Sequence, residues 1–473
     1  MKNFIDHCQK IVGDQHVLTA DADTLSYRTD YRHRYTAKTA AVVFPDNVDQ
    51  VAALVRLCAA HQVAIVSQGG NTGLVLGSVP DQSGRSIVLS LKRLNQIRHI
   101  DPVNNTITVD AGCILMQVQQ AADSIDRLFP LSLASEGTCT IGGNLSTNAG
   151  GTAVLHYGNS RDLCLGLELV TARGEIWNGL RGLRKDNTGY DLRDLFIGAE
   201  GTLGVITGAV LKLFPKPRSR VTALAALKTV EDVVSLFDLA RVSSKDIALT
   251  AFELISDYCL TLVARHFPEI KQPQLAASPC YVLLELSSQQ DETVPMQGLE
   301  HILHRAMQNG LIVDAVVANS IAQSAELWHI REAISSAQAA EGKNIKHDIS
   351  LPISNIASFV NYTDALLQQQ FPLCRMVTFG HIGDGNLHYN VSAPKNCSTD
   401  AFLLEQNAIN RVVHDSVAQF SGSISAEHGL GALKREEILR YKSDVEMQLM
   451  RSVKQALDPD NLMNPGKVVT PLP

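Results

Sequence analysis

"SQGGNTGLVLG", residues 67–77, follows directly on the apolar run "VAIV" (63–66). Glycines and small side chains at the end of a strand let backbone N–H groups turn inward as an anion nest, a shape suited to pyrophosphate. One such cluster is equally well a tight turn. Three others accompany it: "SEGTCTIGGNLSTNAGG" (135–151), "KDNTGYDL" (185–192) and "GAEGTLGVIT" (198–207). Four such loops in one stretch of chain imply a dinucleotide threaded through the domain. No G-x-G-x-x-G occurs anywhere, so a Rossmann-type NAD site has no support.

Around these loops the chain divides into two compositional halves. Residues 40–215 are dense in glycine and in short β-branched runs. "AVVFP" (41–45), "VAIVSQGG" (63–70), "SIVLSL" (86–91), "TITVDAG" (106–112), "LELVTARGEIW" (167–177) and "LGVITGAVLKLFP" (203–215) read as strands. "NVDQVAALVRLCAAH" (47–61) reads as a helix capped by Asn47, with Gln50 in the capping-box position. "FPKPRSR" (214–220) looks like a linker. Beyond it, longer helical stretches such as "TVEDVVSLFDLARVSS" (229–244) and "SIAQSAELWHIREAISSAQAAEG" (320–342) alternate with strands such as "CYVLLELSS" (280–288). The pattern predicts a second α+β domain with helices on one face of an antiparallel sheet.

With 473 residues, 45% apolar and 19% charged, the chain has the composition of a soluble protein of two or three packed units. A net charge of −7 argues against nucleic acid as the main partner. No run approaches the ~18 apolar residues of a membrane span. The start, "MKNFIDHCQKIVGD", lacks the apolar core of an export signal. Nine cysteines without a C-x-x-C pair point to reduced thiols in a cytoplasm and exclude a built-in iron–sulfur cluster.

The glycine loops, with "NPGK" (464–467), resemble the FAD-binding domain of the vanillyl-alcohol oxidase/p-cresol methylhydroxylase superfamily. That resemblance implies an α+β fold: a two-subdomain FAD-binding domain (1–216), an α+β cap domain with an antiparallel sheet (217–420), and a C-terminal segment (421–473) returning to the flavin. It implies FAD contacts from Ser67, Gln68, Gly69, Gly70, Asn71, Thr72, Gly73 and Leu74 in the first loop. The second loop would contribute Ser135, Glu136, Gly137, Thr138, Gly142, Gly143, Asn144, Asn148, Gly150 and Gly151. Glu200, Gly201, Gly204, Val205, Ile206 and Asn464 complete the implied set. Residues 67–77 hold neither the His nor the Cys that tethers FAD in some relatives, so non-covalent FAD is expected.

"HIGDGNLHYN" (381–390) then acquires meaning. Gly383-Asp384-Gly385 makes a tight turn, which brings His381 near His388; alternation puts His388 and Asn390 on one face and Leu387 and Tyr389 on the other. "SISAEHGLG" (423–431) adds Glu427 and His428 between small residues. Two imidazoles and a carboxylate with a position left open suit a divalent catalytic metal. Zn²⁺ fits best, and Mn²⁺ or Fe²⁺ remain open. A flavin needs no metal to accept a hydride, so the metal must serve the substrate, acidifying the hydroxyl of a 2-hydroxy acid. His428 is then the general base with Glu427 as ligand; the reverse assignment, His428 as ligand and Glu427 as its orienter, stays open. In "LWHIREAISSAQAAEGKNIKHDISLP" (327–352), Arg331 and Ser335 share a helix face and Lys346 follows. These are either ordinary surface charges or a seat for a second substrate carboxylate.

Within the superfamily these motifs are most similar to the D-2-hydroxyglutarate dehydrogenase branch, beside the D-lactate dehydrogenases. The resemblance implies metal ligands His381, His388 and Glu427. It implies substrate contacts from Arg331, Ser335 and Lys346 to the distal carboxylate and from Asn390 and His428 at the reacting end. Ser335 stands where that branch can carry threonine, and Tyr389 where an aliphatic residue is expected. The implied activity is FAD- and metal-dependent oxidation of D-2-hydroxyglutarate to 2-oxoglutarate, with an acceptor other than NAD or oxygen. The alternatives are a D-lactate, D-malate or other D-2-hydroxy acid dehydrogenase, or the flavin subunit of a glycolate-oxidase-like complex. The expected partners are a soluble electron acceptor such as an electron-transfer flavoprotein or a quinone, and in quaternary terms a homodimer.

Overall fold

A computed structural model describes residues 1–241, 247–395 and 397–470. Two compact units emerge, the first comprising residues 1–151, 157–215 and 427–473, the second 152–156 and 216–426.

In the first unit, β1 (Val17–Leu18), β2 (Ala41–Val43), β3 (Ala64–Gln68) and β4 (Ser86–Ser90) form a sheet in the order β1-β2-β4-β3, with β2 and β3 parallel to β4. A second, antiparallel sheet has the order β5-β6-β10-β8-β9, where β5 is Ile97–Asp101, β6 Thr106–Asp110, β8 Cys164–Thr171, β9 Ile176–Gly179 and β10 Gly204–Lys212. A ribbon pairs β7 (Arg127–Leu128) with β11 (Phe214–Pro215). The helix Val48–His61 starts as its sequence predicts: Asn47 accepts the N–H of Gln50 at 2.9 Å. The Gln50 side chain reaches back to Asp46 rather than to Asn47, so the capping box closes one residue early. Its buried Leu54, Val55 and Cys58 join Ile65, Ile87 and Leu167 in one core.

The second unit is built on an antiparallel sheet in the order β15-β12-β14-β13-β18-β19-β16, with β17 also on β19. Its strands are β12 (Ser219–Leu227), β13 (Ile247–Ser256), β14 (Cys280–Ser288), β15 (Ile312–Val317), β16 (Asn344–Ile345), β17 (Asp348–Ser350), β18 (Arg375–His381) and β19 (Asn386–Ser392). The helix predicted over 229–244 runs Val230–Arg241, and 242–244 lie outside the described residues. The helix Ile321–Glu341 packs Leu327, Ile330 and Ile334 with Ile255, Val377 and Phe379. On the opposite face Phe237 meets Phe252, and Phe359 of the helix Ile356–Gln370 meets Tyr389. Helices therefore cover both faces, which corrects the one-face expectation. The signal was in β14, which opens on five consecutive apolar residues, Cys280 to Leu284, without polar alternation.

Tyr389 faces the packing side, where its hydroxyl donates to Asp364. Burial pushes the Asp364 carboxyl up to about 6, with the Tyr389 donor opposing the rise. A folded pKa above the unfolded 3.8 means that the native state holds the proton more tightly. Its stabilising effect is complete below about pH 4 and is lost as pH rises through about 6. Asp364→Asn keeps an acceptor for Tyr389 and removes this loss. The variant should melt higher than the parent at pH 7–8, by up to ~2–3 kcal/mol, with the difference vanishing near pH 4. Melting temperature against pH for both proteins checks this.

Candidate active site

In the first unit the loop after β3 rims a cavity of about 310 Å³. Ser67 through Leu74 all line it, together with Ser135, Gly142, Gly143, Asn144, Gly150, Glu200 and Ile206. Glu136, Gly137, Thr138, Asn148, Gly151, Gly201, Gly204, Val205 and Asn464 are not among the lining residues. Two of these glycines are sterically required: a Cβ on Gly70 would lie 2.1 Å from the Thr138 carbonyl oxygen, and one on Gly142 would lie 2.7 Å from the Ala111 Cβ. Gln68 and Asn71 hold the loop in place. The Gln68 amide donates to the carbonyls of Tyr27 and Ser78, and the Asn71 amide donates to those of Ser26 and Thr29.

Asn464 explains "NPGK". Its Nδ2 donates to the carbonyls of Gly77 (2.8 Å) and Glu200 (2.7 Å), stapling the first and last glycine loops together. Lys454, itself buried, donates to the carbonyls of Thr202 and Met463 and adds a second staple. Glu200 accepts the N–H groups of Leu430 (2.7 Å) and Gly431 (2.9 Å), which fixes the loop after His428. Burial raises the Glu200 carboxyl pKa, against those two donors.

The cavity wall contains buried acceptors without a counterpart. Gln68 Oε1 and Thr140 Oγ1, in two residues that line the cavity, have no hydrogen-bond partner among the described residues. Tyr31, Thr140, Ser146 and Thr147 line it too, although no glycine marks them individually. Glu427 and His428 belong to the same wall, and Glu427 Oε1 accepts the N–H of Gly151 at 2.8 Å. The loop 185–192, which the sequence groups with the flavin loops, lines a different, polar cavity of about 460 Å³ with Arg161 and Arg193.

The second unit places His381, His388 and Asn390 on the sheet face beneath the helix Ile321–Glu341, which carries Arg331. β18 and β19 form the expected hairpin. Gly385 turns it at φ +85°, where a Cβ would lie 2.2 Å from the Leu351 carbonyl oxygen. The rings of His381 and His388 are 5.7 Å apart, edge to face. Asn390 is buried; its Oδ1 accepts the His347 N–H and its Nδ2 donates to Gln338, each at 3.0 Å. Ser335 and Lys346 are exposed, Ser335 one turn beyond Arg331 and Lys346 between β16 and β17.

Arg331 is buried and engaged. Its Nε donates to Glu253 Oε2 at 2.9 Å, and its Nη2 lies 2.8 Å from the same oxygen without hydrogen-bond alignment. Glu253 Oε1 is 2.6 Å from His381 Nδ1. Burial alone would raise the Glu253 pKa, but His381 and Arg331 outweigh it and hold the carboxyl at about 2. His388 has a similar neighbour in Asp348, 3.7 Å from its Nδ1. Sequence reasoning missed both carboxylates. Arg331→Ala leaves Glu253, 0% exposed, without its guanidinium. The expected cost is ~3–5 kcal/mol in urea unfolding, most of it recovered in the double variant Arg331→Met, Glu253→Leu.

Known proteins resemble this chain in sequence and in fold. Residues 216–468 match the model for FAD linked oxidases, C-terminal domain, and residues 39–179 match an FAD binding domain. The chain belongs to the FAD-linked oxidases. Among its relatives in this family is the mitochondrial D-2-hydroxyglutarate dehydrogenase of Arabidopsis thaliana, 37% identical over 98% of this chain and 81% of that protein. The D-2-hydroxyglutarate dehydrogenase of Xanthomonas citri pv. viticola is 38% identical over 97% of this chain and 95% of its own length. The fold matches p-cresol methylhydroxylase, with a TM-score of 0.78 over 99% of this chain and 96% of that one, at 16% identity. This FAD-linked oxidase is thus an FAD-dependent oxidoreductase. No helix among its described residues is long and apolar enough to cross a membrane.

Proposed function

We propose that the chain oxidises D-2-hydroxyglutarate to 2-oxoglutarate, using FAD and a divalent metal ion held by His381, His388 and Glu427, with Zn²⁺ the best fit to that donor set. The observation that carries this reading is the pair Glu427–His428 in the wall of the flavin cavity. The names of the two dehydrogenase relatives support the substrate. The metal ligation is supported by the carboxylate that lies 2.6 Å from Nδ1 of His381 and the one 3.7 Å from Nδ1 of His388, since such neighbours orient ligating imidazoles.

Bound FAD supplies the two-electron acceptor, and a divalent ion supplies Lewis acidity toward the hydroxyl and the adjacent carboxylate. The protein's own residues do the rest. His428 takes the C2-hydroxyl proton on an imidazole nitrogen. Asn390, its amide oriented by His347 and Gln338, keeps one Nδ2 hydrogen for the substrate. Lys346, Ser335 and the Nη1 side of Arg331 receive the distal carboxylate. Electrons then pass to a separate acceptor, an electron-transfer flavoprotein or a quinone. Nine cysteines without a disulfide, eight of them buried, support a reducing compartment such as the cytoplasm.

One observation favours a monoacid such as D-lactate instead: Arg331 already has a carboxylate partner in Glu253. Steady-state kinetics on D-2-hydroxyglutarate, D-malate and D-lactate separate the readings. The diacid should be preferred, and Lys346→Ala should lower its kcat/KM roughly 10–100-fold while leaving D-lactate unchanged. A parent enzyme that prefers D-lactate, with no effect of Lys346→Ala, would overturn the diacid assignment. Turnover by the purified single chain with an artificial dye excludes the role of a subunit inactive alone.

A further inference from the structure

We propose that Glu253 is a positioning residue of this site, whose single carboxylate orients His381 for the metal and at the same time anchors Arg331 for the substrate. The inference rests on reading His381 as a metal ligand and Arg331 as a substrate residue. It makes metal affinity and grip on the diacid properties of one buried group.

The strand register creates the contact. Glu253 of β13 stands directly opposite His381 of β18, so both side chains leave the same face of the sheet. A carboxylate accepts, so the 2.6 Å contact puts the hydrogen on His381 Nδ1 and the lone pair on Nε2, the nitrogen that would ligate a metal ion. The other oxygen takes Nε of Arg331, which turns the remaining edge of the guanidinium away from the strand. Asp348 serves His388 less closely, at 3.7 Å, and its Oδ1 also accepts from Asn386 at 2.9 Å. Phe379 links the two halves further. The Arg331 guanidinium lies 4.8 Å from its ring centroid and the His388 ring 4.9 Å from the same ring. Displacing Arg331 therefore also loosens the surface on which His388 rests.

A carboxylate that merely balanced Arg331 would affect stability and nothing else. Glu253→Gln distinguishes the two roles. The holoprotein is titrated with Zn²⁺ against a chromophoric chelator, with FAD content measured in parallel. The wild type should bind one equivalent tightly. Glu253→Gln should bind it ~10–100-fold more weakly with FAD retained. At saturating Zn²⁺ its KM for D-2-hydroxyglutarate should rise several-fold while that for D-lactate stays the same. Tight binding by the wild type with equal affinity in Glu253→Gln would overturn the role of Glu253 alone. A wild type that binds no tight equivalent would overturn the metal reading and this inference with it. If Glu253→Gln does not fold, the double variant Glu253→Gln, Arg331→Gln, which replaces the buried ion pair with neutral amides, takes its place in the titration. Undiminished zinc affinity there would likewise contradict the proposal.

Discussion

With His428 as the proposed general base, His428→Ala should lower kcat on D-2-hydroxyglutarate by ~10²–10⁴-fold, the usual effect of removing such a group. The loop that carries His428 is held rigidly enough for this to be a local loss. Glu427 accepts the Gly151 N–H, and Leu430 and Gly431 donate to Glu200. Gly429 sits at φ +77°, and a Cβ there would lie 2.6 Å from Glu200 Oε1, so this stretch has little room to shift. None of these anchors uses the His428 side chain, so the alanine variant should fold and retain FAD. Steady-state kinetics paired with metal analysis checks the role. A large fall in kcat with metal content unchanged is the expected result. Loss of the metal in the variant would instead put His428 among the ligands and Glu427 in the orienting position.

The parts of this protein legible in its sequence are those whose partners lie close along the chain or whose backbone needs glycine. The hairpin around Gly385 is one such part, because a tight turn and strand alternation together decide which way His388 and Tyr389 face. The loop 67–77 is another, since a Cβ at Gly70 would collide with the backbone of Thr138. Glu253 was hidden for the opposite reason. It lies in "ALTAFELIS", an apolar strand run, 78 residues before Arg331 and 128 before His381, and only the pairing of β13 with β18 brings them together. A lone carboxylate in such a run did carry a signal, because a buried charge needs a counter-charge; the partner's identity did not. Asp348 was hidden in the same way by the register of β17 on β19. The loop 185–192 shows the reverse error. Its glycine and polar composition marks a loop, but composition does not say which cavity that loop lines.

Removing the proposed divalent metal should abolish turnover altogether while leaving the flavin in place, because of the three proposed ligands only Glu427 belongs to the wall of the flavin cavity. The residues lining the flavin cavity all come from the first unit. His381 and His388 come from the second, with a carboxylate 2.6 Å from Nδ1 of the first and 3.7 Å from Nδ1 of the other. Without the ion, the hydroxyl keeps a pKa far above that of a histidine base. Metal coordination lowers the pKa of bound water from ~16 to ~7, and a drop of that order would make the hydroxyl proton accessible to His428 in the proposed mechanism. The decisive measurement is D-2-hydroxyglutarate oxidation by purified enzyme before and after dialysis against EDTA, with metal content and the flavin spectrum recorded on the same samples. The account predicts that activity is lost with the metal, the yellow flavin spectrum is unchanged, and added Zn²⁺ restores turnover. Full activity in a sample with metal content near zero would contradict it.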